Sequence, residues 1–360
     1  MSHMDRALSL ARRSLGAVSP NPSVGAVIVK DGIAVGEGCT QPPGHEHAEI
    51  IALQEAGDSS EGATLYSTLE PCNHQGRTPP CTTAIARAGI SEVRVAALDP
   101  NPNVAGGGVQ ALEEAGVRVR VGEGEKRAKL LMEAYLKYVV EGMPFVTAKF
   151  AMTLDGKIAT HTGDSKWISG DKARWEVHGL RHRSDAIMVG INTVMNDNPQ
   201  LTARDERGKP RDRQPLRVIV DSKGRVPLNA RMISEPGKTL VFVSTATPEA
   251  RDSLEEAGFG VVEAGADDGS VDLRALMRHL AGEMHITSLC VEGGASILGS
   301  LFDHGLVDKV IAFVSPTIIG GGDAPSPVAG RGVELMSDAI KLERVKWDRF
   351  GRDMAITGYC

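Results

Sequence analysis

HAEIIALQEAGDSSEGATLYSTLEPCNHQGRTPPC, residues 47–81, reads as a helix, a strand and the start of a second helix, with a reactive side chain at each junction. His47, Ala48 and Glu49 open the first helix, expected over 47–56. ATLYSTLE (63–70) is strand-like. Cys72 follows Glu70-Pro71. Cys81 follows Pro79-Pro80 and opens a helix over 81–89, where proline fits the first turn because no amide donor is needed there. One His and two Cys supply three ligands to Zn²⁺ and leave a fourth position for water. Helix N-termini add positive dipole ends that favour thiolates. Glu49 lies too close in sequence to His47 to share the metal comfortably, but it can reach water at the fourth position. The alternatives are a closed structural site, with Cys39 or His74 as fourth ligand, or buried cysteines without metal.

H-x-E with P-C-x-x-C is the signature of zinc nucleobase deaminases. Zinc would lower the pKa of water to about 7. Hydroxide would then attack an amine-bearing ring carbon, with Glu49 carrying its proton to the ring nitrogen and the leaving amine. The sequence departs from that signature in one respect: NHQGRTPP (73–80) separates the two cysteines. Such an insertion reshapes a substrate pocket. It carries His74 and Arg77, a cationic pair suited to an anionic substrate, or else two solvated loop residues.

Outward from this segment, helix and strand patterns alternate. A helix is expected near 5–15, then VGAVIV (24–29), VRVAALD (93–99), a helix over 109–116, VRVRV (117–121) and one long helix over 126–141. This is the grammar of a mainly parallel or mixed sheet covered on two faces. Glu141-Gly142-Met143-Pro144 breaks the pattern, because Gly ends a helix and Pro prevents its continuation. Two domains are expected, 1–143 and 144–360, as 360 residues exceed one core. The second opens on FVTAKFAMT (145–153). A helix over 171–183 follows, then strands at 186–190, 217–221 and 240–244. A helix over 273–282, SLCVEGG (288–294), a helix over 296–304 and KVIAFVS (309–315) come next, and an antiparallel terminal hairpin closes the chain.

Lys plus Arg total 40 against 46 Asp plus Glu, a net charge of −6. That balance argues against a nucleic-acid partner. No apolar run reaches membrane-spanning length, so no membrane partner is expected, and a cytoplasmic location follows. Five cysteines, an odd number, are expected to stay reduced.

PCNHQGRTPPC (71–81), preceded by HAE (47–49) and NPSVGAVIV (21–29), resembles the deaminase half of the bifunctional riboflavin-biosynthesis deaminase/reductases. DPNPNVAGGG (99–108), TLDGKIA (153–159), GDSKWIS (163–169), NTVMNDNPQLTAR (192–204) and VEGGASILGSLF (291–302) extend the resemblance over nearly the whole chain. It implies an α/β fold: an N-terminal cytidine-deaminase-like three-layer α/β/α domain and a C-terminal dihydrofolate-reductase-like α/β domain. It implies Zn²⁺ and NADPH as cofactors. The first half would deaminate a diamino-pyrimidinone carrying a phosphoribosylamino arm, and the second would reduce the ribosyl group to a ribityl chain. It also suggests a homodimer or larger homo-oligomer. Asn21, His74 and Arg77 would meet the first substrate. Members often carry His seven residues before the zinc His; Thr40 stands there in this chain, a hydrogen-bond donor that cannot become a cation.

In the second half, a glycine pair after an apolar strand lets amides approach a diphosphate. There is no G-x-G-x-x-G, so a standard dinucleotide fold is not supported. Gly320–Gly322 is a phosphate-side loop or a flexible turn. Arg181 and Arg204 suit a substrate phosphate. By resemblance, Ser165, Arg181, Leu201, Arg204 and Glu292 contact substrate. Ala151, Trp167, Thr193, Asp197 and Ser222 line the NADPH site, with the segment Gly294, Ala295, Ser296, Ile297, Leu298, Gly299 and Ser300. Reduction needs a cation or proton donor at the departing ring oxygen. Lys157 in TLDGK is the candidate to polarise that oxygen and Asp155 to orient the site, unless both belong to a strand-end turn. Two rival readings are a nucleic-acid base deaminase with an accessory domain and a non-catalytic zinc-stabilised binding protein.

Overall fold

Three glycines decide how the N-terminal layers close. In the computed structural model, which describes residues 2–74, 79–102, 104 and 106–360, Gly25 opens strand β1 (Gly25–Lys30). A Cβ on Gly25 would lie 2.0 Å from the Ala7 carbonyl oxygen of helix α1 (His3–Ser14). Gly36 and Gly38 of β2 (Ile33–Cys39) meet helix α2 (Ala48–Ala56) in the same way, at the carbonyls of Ala52 and Ala48. Gly38 pairs with Ala26 and Gly36 with Ile28. Side chains alternate faces along a strand, so Gly25 sits on the face opposite Gly36 and Gly38. Helices α1 and α2 therefore cover opposite faces, giving the three-layer α/β/α arrangement.

The chain divides into two units, Met1–Met143 and Pro144–Cys360. The first continues with β3 (Thr64–Ser67), α3 (Cys81–Arg87), β4 (Glu92–Val95), α4 (Gly107–Glu114), β5 (Arg118–Val121), α5 (Glu125–Leu131) and α6 (Glu133–Glu141). Its sheet order is β2-β1-β3-β4-β5. β1 is antiparallel to both neighbours and β3-β4-β5 run parallel. The core gathers Ile28, Leu65, Ile85, Val93 and Leu112.

Three expectations shift. The strand expected over 63–70 ends at Ser67, because Leu69 and Glu70 turn away to serve the site below. The helix expected over 126–141 breaks at Met132, which leaves helical geometry (φ −108°, ψ 18°) with its side chain buried. β2 was not expected, since IAVGEGC is half exposed and interrupted by the two glycines that α2 requires.

The second unit comprises β6 (Phe145–Thr153), α7 (Asp171–Arg183), β7 (Ala186–Gly190), α8 (Ile191–Asp197), β8 (Leu216–Val220), β9 (Thr239–Val243), α9 (Pro248–Glu256), β10 (Gly260–Glu263), α10 (Leu273–Gly282), β11 (Ser288–Val291), α11 (Ala295–Asp303), β12 (Lys309–Ser315), β13 (Glu343–Phe350) and β14 (Asp353–Tyr359). One nine-stranded sheet runs β10-β9-β8-β7-β11-β6-β12-β14-β13. The pairs from β10 through β12 are parallel, and β13 and β14 form the antiparallel terminal hairpin. β11 inserts between β6 and β7, so the strand order reverses there. In open parallel sheets the crevice at the carboxyl ends of such strands is where ligands bind. Among the described residues, no helix is long and apolar enough to cross a membrane.

Candidate active sites

In the first unit, His47 is the N-cap of α2 and Cys81 the first residue of α3, with Pro80 capping that helix. Cys72 lies on the loop after β3. One ligand atom from each of the three falls within 4.8 Å of the others, as the sequence spacing predicts. His47 Nδ1 is 3.3 Å from Cys81 Sγ and 3.5 Å from Cys72 Sγ. Zinc bonds of about 2.1 Å to nitrogen and about 2.3 Å to sulfur place tetrahedral neighbours about 3.5 Å apart, so the donor set fits that metal. The hydrogen bond from the Cys81 thiol, with His47 beside it, holds Cys72 down to about 4. The same bond and burial push Cys81 up.

Glu49 is buried beneath the cluster. Its Oε2 is 3.8 Å from Cys81 Sγ and its Oε1 3.1 Å from Ser67 Oγ. Burial raises its carboxyl above the ordinary range, against the opposing pull of His47. This is a group able both to take and to give a proton next to the metal ligands. Cys39 and His74 are not part of the ligand cluster. His74 is exposed, two residues beyond Cys72 on the same loop. Asn21 is half-buried on the loop before β1. Arg77 lies outside the described residues.

One feature of the first unit went unread in the sequence. Glu70, 3% exposed, accepts four backbone amides: Asp99 (3.2 Å) and Gly106 (3.0 Å) at Oε2, Gly108 (2.9 Å) and Val109 (3.0 Å) at Oε1. It fixes Asp99, Gly106 and the start of α4 against Pro71-Cys72. The signal was present in the pairing of an acidic residue before Pro-Cys with a downstream glycine run, since free amides need an acceptor. Replacing Glu70 by Gln leaves two of the four amides facing an NH₂ group. The expected result is a loss of about 2–4 kcal/mol of stability, read by denaturant unfolding of the full chain, with an accompanying loss of bound zinc. Thr40, singled out in the sequence, is buried and already engaged. Its Oγ1 accepts the Val24 amide at 3.0 Å, while its own amide donates to the Val24 carbonyl at 2.9 Å. The hydroxyl expected to donate to substrate is folded back onto the backbone that precedes β1.

In the second unit, a cleft of about 890 Å³ opens at the carboxyl ends of β6, β7, β8 and β11, represented by Ala151, Gly190, Val220 and Glu292. Gly293 and Gly294 approach it at the start of α11, with φ of 95° and 89°, a backbone that favours glycine. The structure brings together there Ser165, Ala151, Thr193, Asp197, Ser222, Glu292, Gly294, Ala295, Ser296, Ile297, Leu298 and Ser300. Ser165 Oγ donates to Asp197 Oδ1 at 3.1 Å. Gly299 is turned instead to the 329–330 backbone, where a Cβ would lie 2.3 Å from the Ala329 carbonyl carbon. Trp167 is 68% exposed under the Arg174 guanidinium and is not among the cleft-lining residues.

Arg181 and Arg204 also lie outside the lining, but they converge on Thr202: Arg181 donates to its carbonyl at 3.0 Å, and Arg204 to its hydroxyl at 2.9 Å. Leu201, beside it, is buried with φ 53°. Arg181 also grips Glu292 with two hydrogen bonds of 2.6 and 2.8 Å. Burial pushes Glu292 up, yet Arg181 and then Lys149 outweigh it and hold the carboxyl below the ordinary range.

Neither Asp155 nor Lys157 lines the cleft. Asp155 accepts the Thr153 hydroxyl (2.6 Å) and the amides of Ile319 (3.2 Å) and Gly320 (2.7 Å), and Lys157 Nζ donates to the Ala324 carbonyl at 2.9 Å. Gly320 is thus an anchor point of a turn and not part of the cleft wall. The cation at the cleft is Lys149, absent from the sequence reading. Its Nζ is 3.9 Å from Glu292 and 5.9 Å from the centre of the Phe313 ring. Burial lowers its pKa below the ordinary lysine range, against the pull of Glu292. A lone Lys in the middle of the apolar strand FVTAKFAMT was the signal, because a buried strand carries a charge only where something pairs with it.

Comparison with known proteins follows the two units. The model of the RibD C-terminal domain matches residues 144–356, and that of the cytidine and deoxycytidylate deaminase zinc-binding region matches residues 1–97. Riboflavin biosynthesis protein RibD of Aquifex aeolicus is 41% identical over 99% of this chain and 97% of its own, and that of Escherichia coli K12 is 39% identical over 98% and 97%. The structure of Acinetobacter baumannii RibD aligns with a TM-score of 0.89 at 37% identity, covering 99% of this chain and 97% of that one. The diaminohydroxyphosphoribosylaminopyrimidine deaminase/5-amino-6-(5-phosphoribosylamino)uracil reductase of Thermotoga maritima aligns with a TM-score of 0.85 at 38% identity, over 99% and 97%.

Proposed function

Since the chain belongs to the RibD family of bifunctional riboflavin-biosynthesis deaminase/reductases, we propose how its own residues divide the two reactions. The substrate is a diaminohydroxy-phosphoribosylaminopyrimidine, the compound in the name of the Thermotoga relative. The first unit removes its ring amine. His47, Cys72 and Cys81 hold zinc, which supplies the Lewis acidity that brings the pKa of water to about 7. Glu49 takes the proton from the attacking water, passes it to the ring nitrogen and then hands a proton to the leaving amine. Its buried position next to Cys81 carries this assignment. Asn21, His74 and Arg77 are assigned to the substrate by their place in the motifs.

The second unit reduces the ribosyl group. NADPH, which the family uses, supplies the hydride when bound. Gly293, Gly294 and the start of α11 offer amides to its diphosphate, and Ser222, Thr193 and Asp197 line the rest of the cleft. Arg181, Leu201 and Arg204 are assigned to the substrate phosphate by their place in the motifs, and the convergence of the two arginines on Thr202 supports their acting together. Bound NADPH would supply the hydride to C1′ as the C1′–O4′ bond opens, and Lys149 is assigned to deliver the proton that O4′ needs. Its buried ammonium beside Glu292 supports this role. Self-association and a cytoplasmic location complete the proposal. Val345 and Trp347, exposed on the outermost strand β13, support the first.

The test is a two-step assay on the zinc-loaded protein. Ammonia release is expected with substrate alone, and NADPH oxidation only after deamination. Ammonia without subsequent NADPH oxidation would contradict the reductase assignment. NADPH oxidation with undeaminated substrate would contradict the order.

A further inference from the structure

We propose that Asp155 and Lys157 are positioning residues of the reductase, fastening the segment 316–332 as a strap across the NADPH cleft. The inference rests on the reading of that cleft given above. The strap leaves the end of β12 with no helix or strand of its own, and such long irregular segments persist in compact units mainly where they serve function.

Four sets of contacts fasten it in order. Leu154 donates its amide to the Thr317 carbonyl at 2.9 Å. The Asp155 carboxylate takes the amides of Ile319 and Gly320. Lys157 Nζ donates to the Ala324 carbonyl at 2.9 Å, and the neighbouring Ile158 amide donates to the Pro325 carbonyl at the same distance. At the far end, Ala329 donates to the Ala295 carbonyl at 3.0 Å, and Asp303 accepts the amides of Arg331 (2.8 Å) and Gly332 (3.3 Å). Gly299 lets the strap approach α11 so closely that any side chain there would collide with Ala329.

Between the Lys157 anchor and the α11 anchor, Pro325 and Pro327 line the cleft together with Ile158, Ala295 and Ser296. TLDGK therefore acts at a distance, through the strap. Proton donation is the competing role. Asp155 does not fit it, since the Thr153 hydroxyl first and the Gly320 amide next hold its carboxyl down to about 2, leaving it ionised. Lys157 does not fit it either, since its ammonium is turned to the Ala324 carbonyl and it is not a lining residue.

The experiment uses the full chain with NADPH as probe, binding being titrated by fluorescence without substrate. Lys157→Met removes one charged hydrogen bond, so the Kd for NADPH is expected to rise about 5- to 20-fold. KM for NADPH should rise with it while kcat changes much less. Lys157→Arg keeps a donor within reach and should recover most of the affinity. Asp155→Ala should act in the same direction as Lys157→Met. The circular-dichroism spectrum and unfolding transitions of the same preparations, compared with wild type, report that the second unit has folded. A Lys157→Met variant with unchanged Kd and a kcat lowered a hundredfold would overturn the inference in favour of proton transfer. Wild-type protein that failed to bind NADPH would overturn the cleft reading itself, which separates the two failures.

Discussion

Ammonia release is expected to fall by a factor of about 10³ or more when Glu49 is replaced by Gln, while zinc content and unfolding midpoint stay near wild type. General acid–base catalysis by one positioned group contributes about 10²–10⁴, and Glu49 is asked to move protons at more than one atom. The fold should tolerate the change. A carboxamide is nearly isosteric, keeps a polar contact with Ser67 Oγ and leaves His47, Cys72 and Cys81 untouched. Burial, which costs a charged carboxylate dearly, costs a neutral amide less. Zinc is read by elemental analysis and deamination by ammonia assay on the same sample. Retained deamination in a zinc-replete Glu49→Gln protein would remove Glu49 from the mechanism, and the non-catalytic zinc-protein reading would regain ground. Reduction of separately supplied deaminated substrate should be unaffected, since Glu49 belongs to the other unit.

The second large effect is expected at Lys149. Lys149→Met should lower kcat for reduction by about 10²–10⁴, leaving deamination intact. Glu292 would remain paired through its two hydrogen bonds to Arg181. The methionine side chain would pack against Phe313, where the ammonium now lies. A pH dependence accompanies this prediction. The acting form is the protonated ammonium, and burial lowers its pKa. Reductase activity should therefore be lost as pH rises through a value below the ordinary lysine figure of about 10.4, and that basic limb should vanish from the residual activity of Lys149→Met. If Lys149→Met kept most of the reduction rate while Lys157→Met abolished it, the proton donor would be Lys157.

The two sites differ in how far they could be read in advance. His47, Glu49, Cys72 and Cys81 are short-range features. Each ligand sits at a helix start or just after a strand, and such junctions are fixed by local signals: the Pro80 cap, the glycines that admit α2, and the turn after Ser67. Spacing along the chain therefore translated almost directly into a cluster in space. The Gly294–Ser300 segment was legible for the same reason, because a strand that runs into glycine and then a helix presents amides whatever surrounds it.

Lys149, Glu70 and the anchors of the strap were not legible as a set. Lys149 and Glu292 lie 143 positions apart and meet because β11 inserts beside β6. Glu70 finds its amides only when Asp99, Gly106 and the start of α4, far along the chain, fold against it. Asp155 and Lys157 looked like actors because their residue types suit the chemistry, but type does not tell which way a side chain faces. The sequence alone determined the family of chemistry and the gathering of His47, Cys72 and Cys81 into one cluster, since caps, turns and periodicity act over a few residues. Tertiary structure decided which lysine faces the cleft and which only holds the wall, because that depends on strand order and burial, set by contacts between segments far apart in the chain.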